Sequence, residues 1–193
     1  MTQMLSFVAL PFYFEYQLGR SLHETGLLIT PWPLTVALMA ALSGRLSDRY
    51  PASILAGLGL ALLAGGLLGL ALLGRDAGSL DIVWRMAVCG LGFGLFQSPN
   101  NRAMIGATPP ERSGGASGAQ ATTRLLGQTT GTAVVALLFS MDETGGARFA
   151  LYVAVGMATL GALISLSRLR DAGPAQHAGD RRTGRLTPVR ALY

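Results

Sequence analysis

The sequence predicts an all-α integral membrane protein, one bundle of six transmembrane helices, and three observations predict it. Half of the 193 residues are apolar and only 13% are charged, too little charge to clothe a water-soluble domain of this size. The apolar residues fall in long runs of about 20, the length a helix needs to cross a hydrocarbon core about 30 Å thick. Short clusters of Gly, Pro, Arg and Asp separate the runs, as loops separate membrane helices.

The charges agree with this reading. All fifteen basic residues are arginine, five more than the acids. A basic excess clustered on one surface would point to nucleic acid, but here it lies in short loops and the C-terminal stretch, where it sets topology. Even-numbered loops and the tail carry Arg45, Arg49, Arg102, Arg112, Arg168, Arg170, Arg181, Arg182, Arg185 and Arg190, against Arg20, Arg75, Arg85 and Arg148 opposite. Both termini are therefore expected in the cytoplasm, and nucleic acid is not an expected partner. Cys89 is the single cysteine and sits in an apolar run, so no disulfide framework or thiolate metal site is expected and the residue reads as packing.

Met1 to Leu18 is apolar and aromatic with one acid, Glu15, and no basic residue before Arg20, which is not the pattern of a signal peptide. The run is short for a full span, and predicts that the chain continues a longer protein. Glu15 is either a proton site or an interfacial partner of Arg20. Ser21 and Glu24 have the spacing of a capping box, opening a second span over Leu22 to Ser43 that Pro31 and Pro33 should kink. GRLSDRYP (Gly44 to Pro51) breaks the apolar pattern. There Gly44 is expected to admit a close helix contact, and Asp48 to sit at the positive N-terminus of the next helix.

The third span is expected over Ala52 to Leu73, and the fourth runs on past the interfacial Trp84 to about Ala107. Pro110 and Glu111 favour the first turn of a fifth span from Gly115 to Phe139, and Phe149 to Leu166 makes the sixth. The bundle thus occupies residues 1–167. Residues 168–193 turn to Arg, Gly, Pro, Asp and Gln, the composition of a disordered cytoplasmic tail.

Polar residues recur in register within the fourth and fifth spans. At about 100° per residue, Ser117, Gln120, Arg124, Gln128 and Gly131 fall within an arc of roughly 80°. A single polar stripe on an otherwise apolar or small-residue helix should face a cavity. Arg124 lies about ten residues from the cytoplasmic end, near mid-membrane at 1.5 Å per residue. Arginine costs about 2.5–3.5 kcal/mol there and cannot release its proton, so it needs an acid, helix carbonyls, water or an anionic ligand group. On the fourth helix Gly90, Gly94, Gln97 and Asn101 share a face, with Asn100 beside it. The glycines, with Gly127 and Gly131 on the fifth helix, admit close packing, the amides offer donors and acceptors, and Pro99 loosens its helix.

No enzyme is predicted. Gly115 to Gly118 spells GxSG, as in rhomboid intramembrane proteases, but no histidine lies in a span to activate Ser117. The glycines of GLGFG (Gly90 to Gly94) lie within a span, not between strand and helix as a dinucleotide fingerprint requires, and there is no P-loop. No cofactor and no metal are expected.

GLGFGLFQSPNNRAM, the PPERSGGASG turn and TRLLGQTTG, in that order, resemble the C-terminal half of major facilitator superfamily transporters, in particular the fourteen-span drug:proton antiporters. LGRSLHETGLLITPWPL (Leu18 to Leu34) is similar to the first helix junction of that half, and GRLSDR (Gly44 to Arg49) to the superfamily's GxxxDR cytoplasmic loop. Tyr50 and Pro51 are followed by Ala52 and Ser53, without the glycine and later basic residues of the full loop motif. The resemblance covers nearly all of Met4 to Leu166. It implies a major-facilitator bundle of two inverted three-helix repeats, working against an N-terminal bundle this chain does not contain.

It also implies proton-coupled efflux of amphipathic drugs or metabolites by alternating access in a bacterial inner membrane, with protons, a small-molecule substrate and the lipid bilayer as partners. On that reading Arg124, Gln128, Gln120, Gln97, Asn101 and Asn100 line the substrate cavity, and Gly44, Asp48 and Arg49 form a cytoplasmic gate loop. The alternatives are an accessory or decayed membrane protein without transport of its own, and a half-size carrier that dimerises.

Overall fold

The computed structural model describes residues 1–74, 76–106, 109, 113–142 and 145–171, and these form helices and connecting loops without a strand. Helix α1 (Thr2–Phe12) widens after Pro11 into a π-helical stretch over Tyr13–Gln17. It is followed by α2 (Leu22–Ile29), α3 (Pro31–Ser47), α4 (Ala52–Ala71), α5 (Ser79–Gly106), α6 (Ser113–Met141) and α7 (Gly146–Asp171). Among the described residues four helical segments are long and apolar enough to cross a membrane: Leu22–Ser47, which joins α2 and α3, Ala52–Ala71, Ser79–Arg102 and Gly146–Ser167. Helix α1 is shorter, and α6, though 29 residues long, is too polar to qualify on the same ground.

The local chemistry explains the boundaries. Gly19 ends the first element at φ +64°, a left-handed conformation that favours glycine. Ser21 then caps α2: its hydroxyl accepts from the Glu24 amide at 3.3 Å, and Glu24 Oε2 accepts from the Ser21 amide at 3.0 Å. Pro31 and Pro33 lack the amides that would continue α2 smoothly, so the helix breaks at Thr30. The Thr30 hydroxyl donates to Gly26 O at 2.9 Å and the Thr35 hydroxyl to Pro31 O at 2.8 Å, occupying carbonyls around the break. Pro99 lies inside α5 without ending it. Helix α7 continues past its expected end at Leu166 to Asp171, so the first residues of the expected tail are helical. The rest of that tail lies outside the described residues, as do the expected turn residues Pro110 and Glu111.

Helix α4 is the centre of the bundle, with α5 along one side and α7 along another. A Cβ on Gly59 would lie 2.6 Å from Gly92 O, and one on Gly92 would lie 2.5 Å from Leu63 N. The α4 and α5 backbones therefore touch, an approach only glycine allows. Leu63, Leu67, Leu70, Met86, Cys89, Leu151 and Ala154 fill the surrounding core, and the free Cys89 packs against Gly66. Gly90 and Gly94 on α5 meet Trp32, Thr35, Val36 and Met39 of α3. They share a helical face with Gln97 and Asn101 on paper, but the glycine end of that face is sealed by α3.

A set of donors binds the loop end of α4. Arg85 Nη1 donates to Gly69 O, Arg148 Nε to Ala71 O at 2.8 Å, Tyr13 OH to Leu73 O at 3.3 Å and Arg20 Nη2 to Ala77 O at 2.5 Å. The last carbonyls of a helix have no intrahelical partner and carry its negative pole, so three guanidinium groups and a phenol stabilise this terminus and the loop after it. Arg20 is engaged there and forms no ion pair with Glu15 among the described residues, which corrects that pairing. Trp84, half exposed as an interfacial ring should be, donates to Asp81 at 2.8 Å.

Candidate functional site

Helix α6 is the loosely held member of the bundle. It meets α1 at Gly127 and Gly131, where an added Cβ would come within 3.3 Å of Met1 N and 3.0 Å of Met1 O, and among its residues only Gly131 and Val135 are buried. Added Cβ atoms at Gly114, Gly115 and Gly118 would meet open space. Between this half of α6 and the faces of α4, α5 and α7 lies an open cleft of about 700 Å³, within the size range of sites for drug-sized ligands.

The cleft gathers the polar residues of both helices. Gln97, Asn100 and Asn101 of α5 and Ser117, Gln120, Arg124 and Gln128 of α6 all line it. Gln120 Nε2 donates to Asn101 Oδ1 at 2.6 Å, joining the two helices across the cleft. Asn100 Nδ2 points to Met104 Sδ at 3.9 Å, a weak contact. The apolar part of the lining comes from Phe93 and Phe96 of α5, Leu60 and Leu63 of α4, and Met157 and Ile164 of α7. Phe93 and Phe96 were not singled out in the sequence, although Phe93 sits one turn before Gln97 and Phe96 one turn before Asn100.

Arg124 lies about 16 Å along α6 from Ser113, at 1.5 Å per residue. It is the only charged side chain in the described cleft lining. Among the described residues no carboxylate, carbonyl or amide oxygen pairs with it, so of the partners expected for it the acid and the helix carbonyls are not supplied here.

The loop residues form a separate cluster. Arg102 Nη1, at the end of α5, donates to Gly44 O at 3.1 Å and stands 3.6 Å from Asp48 Oδ1. Asp48 thus faces α5, and α4 starts after Pro51 with no side-chain cap, which corrects the expected placement of Asp48 against that helix end. Gly44 is not a close-contact glycine either, because a Cβ there would meet open space; its carbonyl is what the contact uses. Arg49 is exposed. Arg102 was counted in the sequence only as a topological charge.

Comparison with known proteins agrees with a membrane fold of apolar helices. The family model described as Major Facilitator Superfamily matches residues 1–192. The chain is 49% identical over 167 residues to the uncharacterised transporter YebQ of Escherichia coli (strain K12), covering 86% of this chain and 36% of that protein. It is 32% identical over 147 residues to the riboflavin transporter RibZ of Clostridioides difficile (strain 630), 76% of this chain and 32% of RibZ. It is 32% identical over 135 residues to a tetracycline resistance determinant of Streptomyces rimosus, 68% of this chain and 38% of that protein. The chain spans about a third of the length of these curated relatives. With its multi-pass apolar helices and a family match along nearly its whole length, the chain belongs to the Major Facilitator Superfamily of membrane transporters.

Proposed function

We propose that these residues form the C-terminal six-span bundle of a proton-coupled efflux transporter, with residues 168–193 as a cytoplasmic tail. In this reading α1 and α6 cross the membrane with the four more apolar segments, giving two inverted three-helix repeats and both termini in the cytoplasm of a bacterial inner membrane. The observation that carries the reading is the convergence of Gln97, Asn100, Asn101, Gln120, Arg124 and Gln128 on one cleft between otherwise apolar helices. Polar groups in a membrane interior are costly unless they serve a pathway or find partners. A second bundle, N-terminal to residue 1 in a longer chain, closes the substrate space, and alternating access comes from rocking the two bundles. Two relatives are named for riboflavin and tetracycline, which supports an amphipathic ring compound as substrate.

The test is efflux by the full-length protein in proteoliposomes under an imposed pH gradient, with a fluorescent ring compound as cargo. Gradient-dependent efflux should fall at least about tenfold in Arg124→Ala, the scale of losing a hydrogen bond to a charged group, with membrane insertion preserved. Efflux at the wild-type rate by that variant removes Arg124 from the pathway. Efflux that ignores the pH gradient removes the proton coupling.

A further inference from the structure

We propose that the cleft selects organic anions: amphipathic molecules whose carboxylate, or similar oxyanion, binds Arg124 while an apolar ring lies toward Phe93, Phe96 and Met157. The proposal rests on the reading of the cleft as the substrate site and names the charge of what enters it. Three observations carry it. Arg124 is the only charged side chain in the described lining, and no acid accompanies it there. It has no hydrogen-bond or ion-pair partner among the described residues. The other polar side chains of the described lining are uncharged amides and hydroxyls, Gln97 and Gln128 among them able to donate to the same anion, while Gln120 pairs with Asn101 rather than with Arg124.

The chemistry follows from arginine itself. Its guanidinium stays protonated, presents donors in a planar fork that matches a carboxylate, and is more weakly hydrated than an ammonium, so it serves well in a partly apolar site. Arg124 is exposed to the open cleft, so an anion that enters finds a cation there with no protein acid to compete for it, and the attraction strengthens as a second bundle closes the space and excludes water. A ligand cation would instead meet like-charge repulsion that grows with the same closure. The cleft therefore discriminates by sign of charge before it discriminates by shape. The Arg124 contact should confer at least about a tenfold preference for the anion over its neutral analogue.

The test is binding of three probes with one ring system and different head groups, 1-pyrenebutyrate, 1-pyrenebutanol and 1-pyrenebutylammonium, to the full-length protein in nanodiscs. Saturable tryptophan-to-pyrene energy transfer, corrected with empty nanodiscs, reports occupancy. Wild-type protein should bind the butyrate at least about tenfold more tightly than the alcohol, and the ammonium most weakly. Arg124→Gln should erase the preference for the butyrate over the alcohol, and Arg124→Glu should invert the order of the two ions. Equal binding of all three probes, or a butyrate preference that survives Arg124→Gln, overturns the anion selectivity and leaves the cleft as a ligand site. If none of the three binds saturably, both the selectivity and the reading of the cleft as the substrate site fail together.

Discussion

At the scale of single residues, the glycines of α5 and α6 divide into those pressed against a neighbour and those facing space. Gly92 touches the α4 backbone, whereas Gly118 has nothing near it. Gly92→Ala should separate α4 from α5 and destabilise the bundle by about 1–3 kcal/mol, the usual cost of overpacking. Gly118→Ala should be neutral or stabilise by up to about 1 kcal/mol, because alanine is the better helix former. Unfolding of the purified variants in a fixed detergent, followed by circular dichroism, orders the two; similar midpoints would mean that α4 and α5 do not meet through these backbones. Their difference was not legible in the sequence, where both read as small residues in an apolar helix. Periodicity says which glycines share a face and is silent on what faces them.

At the scale of elements, α4 and α6 are opposites. Helix α4 packs on two sides, and its loop end is held by Arg85, Arg148, Tyr13 and, through the following loop, Arg20. Arg148→Met should therefore cost about 1.5–3 kcal/mol, the range for hydrogen bonds to charged groups, seen as a lower unfolding midpoint. Arg102→Ala should cost less than about 1 kcal/mol, because its partner Asp48 is exposed. A larger loss in Arg102→Ala than in Arg148→Met would reverse this ranking. Helix α6, with two buried residues, should exchange its amide hydrogens over Ser113 to Leu126 faster than α4 does over Leu55 to Ala71, because local opening follows the density of buried contacts. Equal protection measured by mass spectrometry would mean that α6 is held as firmly as the core. The extents of these helices were readable from apolar runs and from Pro and Gly punctuation. Their unequal packing was not, since α4 and α6 are both long and rich in small residues.

At the scale of the whole molecule, the bundle is a firm core of α3, α4, α5 and α7 with a cleft between that core and α6. The all-helical, membrane-spanning character of the fold, the succession of helices, the break at Pro31 and the polar stripe containing Arg124 were determined by the sequence alone. They depend on local quantities: the length of an apolar run, the missing proline amide and the angular register of a helix. Only the tertiary structure decided that the stripe of α6 and the amides of α5 open onto the same space, that Gly90 and Gly94 belong to the α3 contact, that Asp48 turns to Arg102, and that Arg20, Arg85 and Arg148 hold the end of α4. Each of these pairs distant residues through the rotation and spacing of packed helices, and helical periodicity places a side chain on its own helix without specifying which helix lies opposite.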